Sequence, residues 1–418
     1  MAKPLIKRFN GPTIHGFASI EAHFMKIALK TLIATVFSAV LCAQSLQAAD
    51  GPVLVGFDGA YGVKNSTSAQ AIELGLKAAI HEINAAGGVL DGRPILLEIK
   101  DNRSVSARGI ANLEDFAAQE NLVAVFGGRF SPVILQQLKI AHDKQIPLLD
   151  VWGAADGITD HSYAPSYSFR LSLKDSWAMP AMLAQAQAKG GGKFGLLLPN
   201  TGWGRSNQKA LDKALVDTPT ADLVGTIWYN WGERDMLQHY RTLINAGAQS
   251  ILLVANDLEG SLLVRQLGEQ KKVKRVPIIS HWGVTGGNMV EESGPTLADL
   301  DFTVVQTFSF FTAPPAALET FKNTVAAIAD IKDVTTILSP VGVGHAYDMM
   351  HILAKAINAA KSTDRRAIRD ALETLGAHDG LVRTYTQPFS ATSHDALSPD
   401  QVFFAKFRAD GALVPTAR

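Results

Sequence analysis

Five aromatic residues fall where strands give way to loops: Tyr61, Phe130, Trp152, Trp203 and Trp282. Core strands bury Val or Phe; tryptophan at a strand end suits a cleft, because the indole pairs a large apolar body with one N–H that needs a partner. Rings gathered around one cleft favour a ligand with a flat or apolar body. Trp228, Tyr229 and Trp231 follow another strand and either join that cleft or face solvent. Bond-breaking motifs are missing. His81-Glu82 opens like a zinc helix, but the second histidine would fall at Ala85. Gly56, Gly59 and Gly62 do not space as a dinucleotide fingerprint. Gly190-Gly191-Gly192-Lys193 lacks the Ser or Thr that follows lysine in a phosphate loop. There is no G-x-S-x-G elbow, and the eleven histidines are scattered. Binding rather than turnover is expected, with no metal and no cofactor; an enzyme assembled from distant residues is the competing reading.

The elements that must position these rings alternate regularly. Apolar runs at 53–57, 94–100, 122–126, 147–151, 193–198, 222–228, 250–254, 276–280 and 302–308 predict strands. Helical patterns lie between them at 68–86, 105–119, 131–143, 175–189, 204–216, 233–246 and 258–270. In the first, Ile72, Leu76, Ala79 and Ile83 recur at the spacing of one buried stripe. Strand–helix alternation with short turns implies parallel sheets in an α/β fold. Gly87-Gly88, Gly190 to Gly192 and Gly247 supply helix ends. After Phe308 the rhythm breaks. Helices are predicted from Pro314-Pro315 to Asp330, over 340–361 and over 364–375, the last with Ser362-Thr363-Asp364 as its cap. Gln401 to Arg408 predicts a closing strand.

The first 50 residues carry an export signal. Lys26 and Lys30 precede an apolar run, Thr31 to Leu41, that is shorter than the ~20 residues of a membrane span. Small residues at Ala48 and Ala49 suit cleavage, so 25–48 is expected to be a signal peptide starting at Met25, with 1–24 as an upstream extension. A retained anchor is the alternative. Cys42 follows Leu41 rather than a small residue, which disfavours lipid attachment, and the mature chain then has no cysteine and no disulfide. Roughly 370 mature residues exceed a usual single domain and suggest two lobes. Acids and bases balance at 39 each, so no strong field draws in nucleic acid or anionic lipid.

One stretch then gains a particular meaning. A strand, a Gly-containing loop, the helix GLKAAIHEINAAGG from Gly75 to Gly88, Gly92-Arg93-Pro94 and a strand ending Lys100-Asp101-Asn102 together resemble the branched-chain amino acid (Leu/Ile/Val)-binding proteins, the periplasmic solute-binding components of ABC transporters. Val125-Phe126-Gly127-Gly128 with Ser131, Ile146-Pro147-Leu148-Leu149 and Asn200-Thr201-Gly202-Trp203-Gly204 extend the likeness over nearly all of 52–408. The resemblance implies a type I periplasmic binding protein: two doubly wound parallel-sheet lobes joined by a hinge, with ligand held in the cleft between them. The N-terminal lobe would hold 51–172 and 308–401, the C-terminal lobe 173–307 and 402–418, with three crossovers.

The resemblance also implies roles. Ser131 matches the serine that binds the ligand carboxylate, at a helix start whose free N–H groups suit an anion. Arg129, two residues earlier, could add a bidentate clamp. Trp152, Gly153 and Ala154 fall on the segment that meets the α-carboxylate and ammonium of amino acids, but Ala154 stands where a threonine hydroxyl is usual. Trp282 occupies the place where amino acid binders often carry a Glu for the ammonium, and Asn256 stands where many carry an aromatic ring. Ser104 and Phe130 lie near the positions of a disulfide found in some relatives. A desolvated ammonium without its carboxylate costs about 3–5 kcal/mol, so an amino acid ligand would need another acid: Asp257 is nearest, with Asp58 and Asp150 as further candidates. The expected protein is a periplasmic, monomeric receptor that captures an amino acid or a related small carboxylate, an aromatic body being one option, for an inner-membrane ABC permease. A periplasmic sensor docking on a membrane sensor kinase is the alternative.

Overall fold

The structure is a computed structural model that describes residues 51–416 apart from 65, 191 and 271. The upstream extension, the signal peptide with Cys42, and Gly191 of the glycine turn lie outside the described residues.

Two sheets organise the chain. The first has the order β2-β1-β3-β4-β5 and is parallel throughout, built from β1 (Val53–Gly59), β2 (Ile95–Asp101), β3 (Leu122–Gly127), β4 (Leu148–Asp150) and β5 (Ser168–Arg170). Its crossover helices are α1 (Ser68–Ala85), α2 (Ser106–Ala117) and α3 (Ser131–Asp143). β1 and β3 are buried along their whole length, as central strands covered by helices on both faces must be. The stripe of Ile72, Leu76, Ala79 and Ile83 is buried as its spacing predicts.

The second sheet runs β14-β13-β10-β9-β8-β6-β7. Its parallel part is β6 (Lys193–Pro199), β7 (Asp222–Tyr229), β8 (Ser250–Leu253), β9 (Ile278–Ser280) and β10 (Phe302–Gln306). Helices α4 (Asp175–Ala188), α5 (Gly202–Val216), α6 (Met236–Asn245) and α7 (Asp257–Glu269) connect these strands, and the short α8 (Met289–Ser293) precedes β10. The closing strand appears as β13 (Phe403–Phe407), antiparallel to β10, and β14 (Leu413–Pro415) adds an edge strand.

Between β10 and β13 the chain returns to the first lobe. Helices α9 (Pro315–Ala329) and α10 (Pro340–Ala360) pack on α1, and α11 (Arg365–Thr374) packs on α10. The Asp364 side chain caps α11 by accepting from the Arg366 and Ala367 N–H groups. A two-stranded hairpin, β11 (His378–Asp379) and β12 (Thr384–Tyr385), follows. The chain thus passes between lobes after β5, after β10 and before β13.

The contact of α1 with α10 is close enough to depend on one glycine. A β-carbon at Gly75 would lie 2.3 Å from the Val343 carbonyl oxygen, which belongs to rigid helix backbone. Gly75→Ala should therefore push the helices apart and cost about 1–3 kcal/mol, read as a lower urea midpoint with an unchanged slope.

Candidate functional site

The rings and charges converge where the two lobes face each other. From the first lobe come Arg129, Phe130, Ser131 and Pro132, at the step from β3 into α3, and Trp152 and Ala154 after β4. From the second come Trp203 at the start of α5, Trp231 after β7, Asn256 before α7, and Trp282 and Gly283 after β9. All lie beyond the carboxyl ends of parallel strands, where ligands of open α/β sheets collect. In this closed cleft the lining leaves a cavity of about 10 Å³, about the room one water needs.

Closure is held by direct bonds between lobes. The Thr67 N–H donates to Gly286 O at 2.9 Å, Ser339 Oγ donates to Thr285 O at 2.7 Å, and the Asp156 N–H donates to Ser206 Oγ at 3.0 Å. Ser339 stands in left-handed backbone, φ +61, which places its hydroxyl on the opposing turn.

At the centre Arg129 Nη1 lies 2.8 Å from Asp257 Oδ1, with the two side chains 3% and 1% exposed. The pair spans the cleft, from β3 of one lobe to the first residue of α7 in the other. Its alignment is poor: Arg129 Nε and Nη1 and both Asp257 oxygens are buried without a hydrogen bond. Arg129 also sits 4.5 Å from the Phe130 ring centroid. It rests on the Trp282–Gly286 turn, where a β-carbon at Gly286 would fall 1.5 Å from Nη1. Buried polar groups are almost always satisfied, so this charged pair and the unpartnered Nε1 atoms of Trp152 and Trp231 mark a place built for more hydrogen bonds than the protein itself supplies.

The remaining sequence candidates take varied places. Ser131 is the first residue of α3, and its hydroxyl accepts from the Ala154 and Ala155 N–H groups at 3.1 and 3.2 Å. Gly153 is packed against Ile134 and Ile158, and its N–H donates to Asp150 Oδ1 at 2.7 Å. Tyr61 is not brought to this cavity; its hydroxyl donates to Glu73 at 2.6 Å. Asp58 and Asp150 are likewise engaged elsewhere. Asp58 accepts from the Asn102, Asn112 and Gln137 amides at 2.9, 2.7 and 2.7 Å, and burial against these neutral donors pushes it up to about 6. Asp150 caps the turn after β4 through the Trp152 and Gly153 N–H groups, and burial pushes it up to about 7. Of the aromatic residues left open, Trp231 joins the cavity, edge-on to Phe130 at 5.4 Å. Trp228 is 39% exposed and Tyr229 is buried in the core.

Two polar clusters sit behind the rings. Trp203 Nε1 donates to Asp175 Oδ1 at 3.2 Å, and His281 Nε2 lies 3.1 Å from the same oxygen. His345, on α10, bonds the Thr307 hydroxyl at 3.0 Å and the Val151 carbonyl at 3.1 Å, joining the second crossover to the strand end that carries Trp152. Full burial pushes His345 down to about 3, so it is neutral in the folded protein. A folded value depressed below the unfolded ~6.5 gives stability that is complete above that pH and lost as pH falls toward 3. Raised carboxyls such as Asp58 act oppositely as pH falls from about 6 to the ordinary carboxylate value, so the whole-protein profile is partly cancelled. The histidine shows in a difference: between pH 6.5 and 5, wild type should lose about 2 kcal/mol more than His345→Gln, measured by urea unfolding at both pH values.

A two-lobed α/β protein with a ring-lined interlobe cleft has the architecture of the solute-binding class. The chain belongs to the periplasmic binding protein family, whose model matches residues 52–412, and it has the type I fold of that class. Solved structures agree on the fold. A type 1 periplasmic binding protein from Bordetella pertussis Tohama I superposes with a TM-score of 0.77 at 18% identity, covering 88% of this chain and 100% of its own. The branched-chain amino acid transporter substrate-binding protein LivJ from Streptococcus pneumoniae, in complex with isoleucine, gives 0.71 at 19% identity, covering 87% and 100%. A solute-binding protein from R. palustris in complex with 4-hydroxybenzoate gives 0.73 at 15% identity, covering 88% and 96%. No curated protein matches the sequence.

Proposed function

We propose that this protein is an extracytoplasmic receptor of an ABC transporter, capturing an amino acid or related small carboxylate for a membrane permease. The observation that carries the reading is Arg129, a buried guanidinium in the interlobe cleft with unsatisfied N–H donors. A guanidinium fork matches a carboxylate geometrically. Ser131 adds its hydroxyl proton from the same helix start, where backbone dipoles favour negative charge. Trp152, Trp203, Trp231 and Trp282 wall the ligand body. The lobes, taken as 51–172 with 308–401 and as 173–307 with 402–418, act as units about the three crossovers, opening to admit the solute because the closed cavity has no room for one. The relatives in complex with isoleucine and 4-hydroxybenzoate support a carboxylate of either an aliphatic or an aromatic body.

The test is a thermal-shift screen of amino acids, aromatic acids and amides. A true ligand at 100 times its dissociation constant should add about 2.7 kcal/mol of stability. That gain should vanish in both Arg129→Ala and Ser131→Ala. Carboxylates that stabilise both variants as strongly as wild type would refute the site.

A further inference from the structure

Deepening the carboxylate reading, on which it rests, we propose that the ligand is a betaine: a small carboxylate that also carries a methylated, permanently charged nitrogen. The cavity is rich in rings, and apart from the Asp257 carboxylate it offers few acceptors. Phe130 and Trp231 face each other across the cleft at 5.4 Å and 71°, and Trp152 and Trp282 do so at 5.9 Å and 53°. Each pair takes one ring from each lobe, so closure brings inclined π-faces together from both sides. A cation already uses this environment, since the Arg129 guanidinium lies 4.5 Å from the Phe130 centroid.

The charges inside the rings are one of each sign. Arg129 supplies donors for a carboxylate, and Asp257, 2.8 Å away on the other lobe, supplies the balancing anion. A solute entering between them must separate the pair. A plain monoanion would compensate Arg129 and leave Asp257 buried beside it as a second negative charge. A zwitterion compensates both.

The nitrogen's class follows from what it needs. A primary ammonium brings three N–H donors. Beyond the Asp257 carboxylate, acceptors at the cavity are few: the Ser131 oxygen is already taken by two backbone N–H groups, and Asn256 is the carboxamide among the lining residues. A fully methylated nitrogen brings no donors. It requires only diffuse electrostatic attraction, which aromatic faces and a nearby carboxylate provide, and desolvated cation–π contacts favour it by ~2 kcal/mol or more.

The experiment is calorimetric titration of the wild-type protein with two methylation series: glycine, sarcosine, dimethylglycine and glycine betaine; and nicotinate with its N-methylated counterpart trigonelline. Proline against proline betaine extends the first. The expected result is affinity rising with methylation in at least one series, by at least about tenfold from the unmethylated to the fully methylated member. Trp282→Phe should keep most of that gain, and Trp282→Leu, apolar but without a π-face, should lose it, with each variant's unfolding temperature recorded. Equal or tighter binding of the unmethylated members, or of 3-phenylpropanoate, would overturn the betaine assignment and leave the carboxylate reading standing. Choline binding as tightly as trigonelline would instead overturn the carboxylate reading while the ring cage stands. No binding in any series overturns both.

Discussion

Arg129→Met should leave the protein folded but shift its cleft open. The substitution removes the cation paired with Asp257, whose side chain is 1% exposed in the closed form. A buried carboxylate stripped of its partner costs about 3–5 kcal/mol. The protein has a cheaper response than unfolding, because Asp257 and Arg129 belong to different lobes and opening returns Asp257 to water. The contacts that oppose opening are modest: interlobe hydrogen bonds such as those from Thr67, Ser66, Ser339 and Asp156 are worth about 1 kcal/mol each. Interfaces between domains of one chain also yield readily to relative motion. Small-angle scattering should show a larger radius of gyration for Arg129→Met than for wild type, with little change in the urea midpoint. The double variant Arg129→Met/Asp257→Leu replaces both charges with apolar groups and should close again, since a buried pair can be exchanged for hydrophobic residues at little cost. A compact single variant, or a double variant as open as the single one, would show that the pair does not govern closure.

That pair was not legible in the sequence, although both partners were. Arg129 stands two residues before a helix-start serine, and Asp257 follows the apolar run at 250–254; the sequence contains no signal that two loops in different lobes meet. The elements were far easier to read. Burial on both faces gives parallel strands long apolar runs, so β1, β3 and β6 and the helices between them fall within a residue or two of expectation. β5 has no apolar run to mark it, because Ser168 and Arg170 make two of its three residues polar. Tyr61 misled for a related reason. Its position at a strand end is like that of Trp152, and only the fold shows that Glu73, on the following helix, takes its hydroxyl away from the cavity. Side-chain type and strand-end position thus select candidates, while the meeting of lobes decides among them.

Arg170 is the counterpart of Arg129 with the escape removed, and Arg170→Met should be the more destructive change. Its side chain is fully buried. Nε donates to Asp395 Oδ1 at 2.8 Å, Nη1 to Ala155 O at 3.1 Å, and Nη2 to Asp156 O at 3.1 Å and to the Thr159 hydroxyl. All these partners lie around the first and third crossovers, not across the cleft, so opening exposes none of them. Burial opposes the charge on Asp395, but Arg170, Lys174 and the Thr159 hydroxyl outweigh it and hold the carboxyl below its ordinary range. A carboxyl depressed in the folded state contributes stability that is complete above its unfolded value of about 3.8 and is lost as pH falls through the folded one. Near neutral pH the variant should therefore lose about 3–5 kcal/mol, with Lys174, 3.0 Å from Asp395 Oδ2, preventing a larger loss. Arg170→Lys should recover only a small part, because one ammonium cannot serve acceptors arranged for a planar fork. Urea unfolding at pH 7 and at pH 3 tests both statements: the deficit should be large at pH 7 and smaller at pH 3, below the unfolded value of about 3.8. A deficit under about 1 kcal/mol at pH 7, the range of an exposed ion pair, would mean that this guanidinium does not tie the crossovers together.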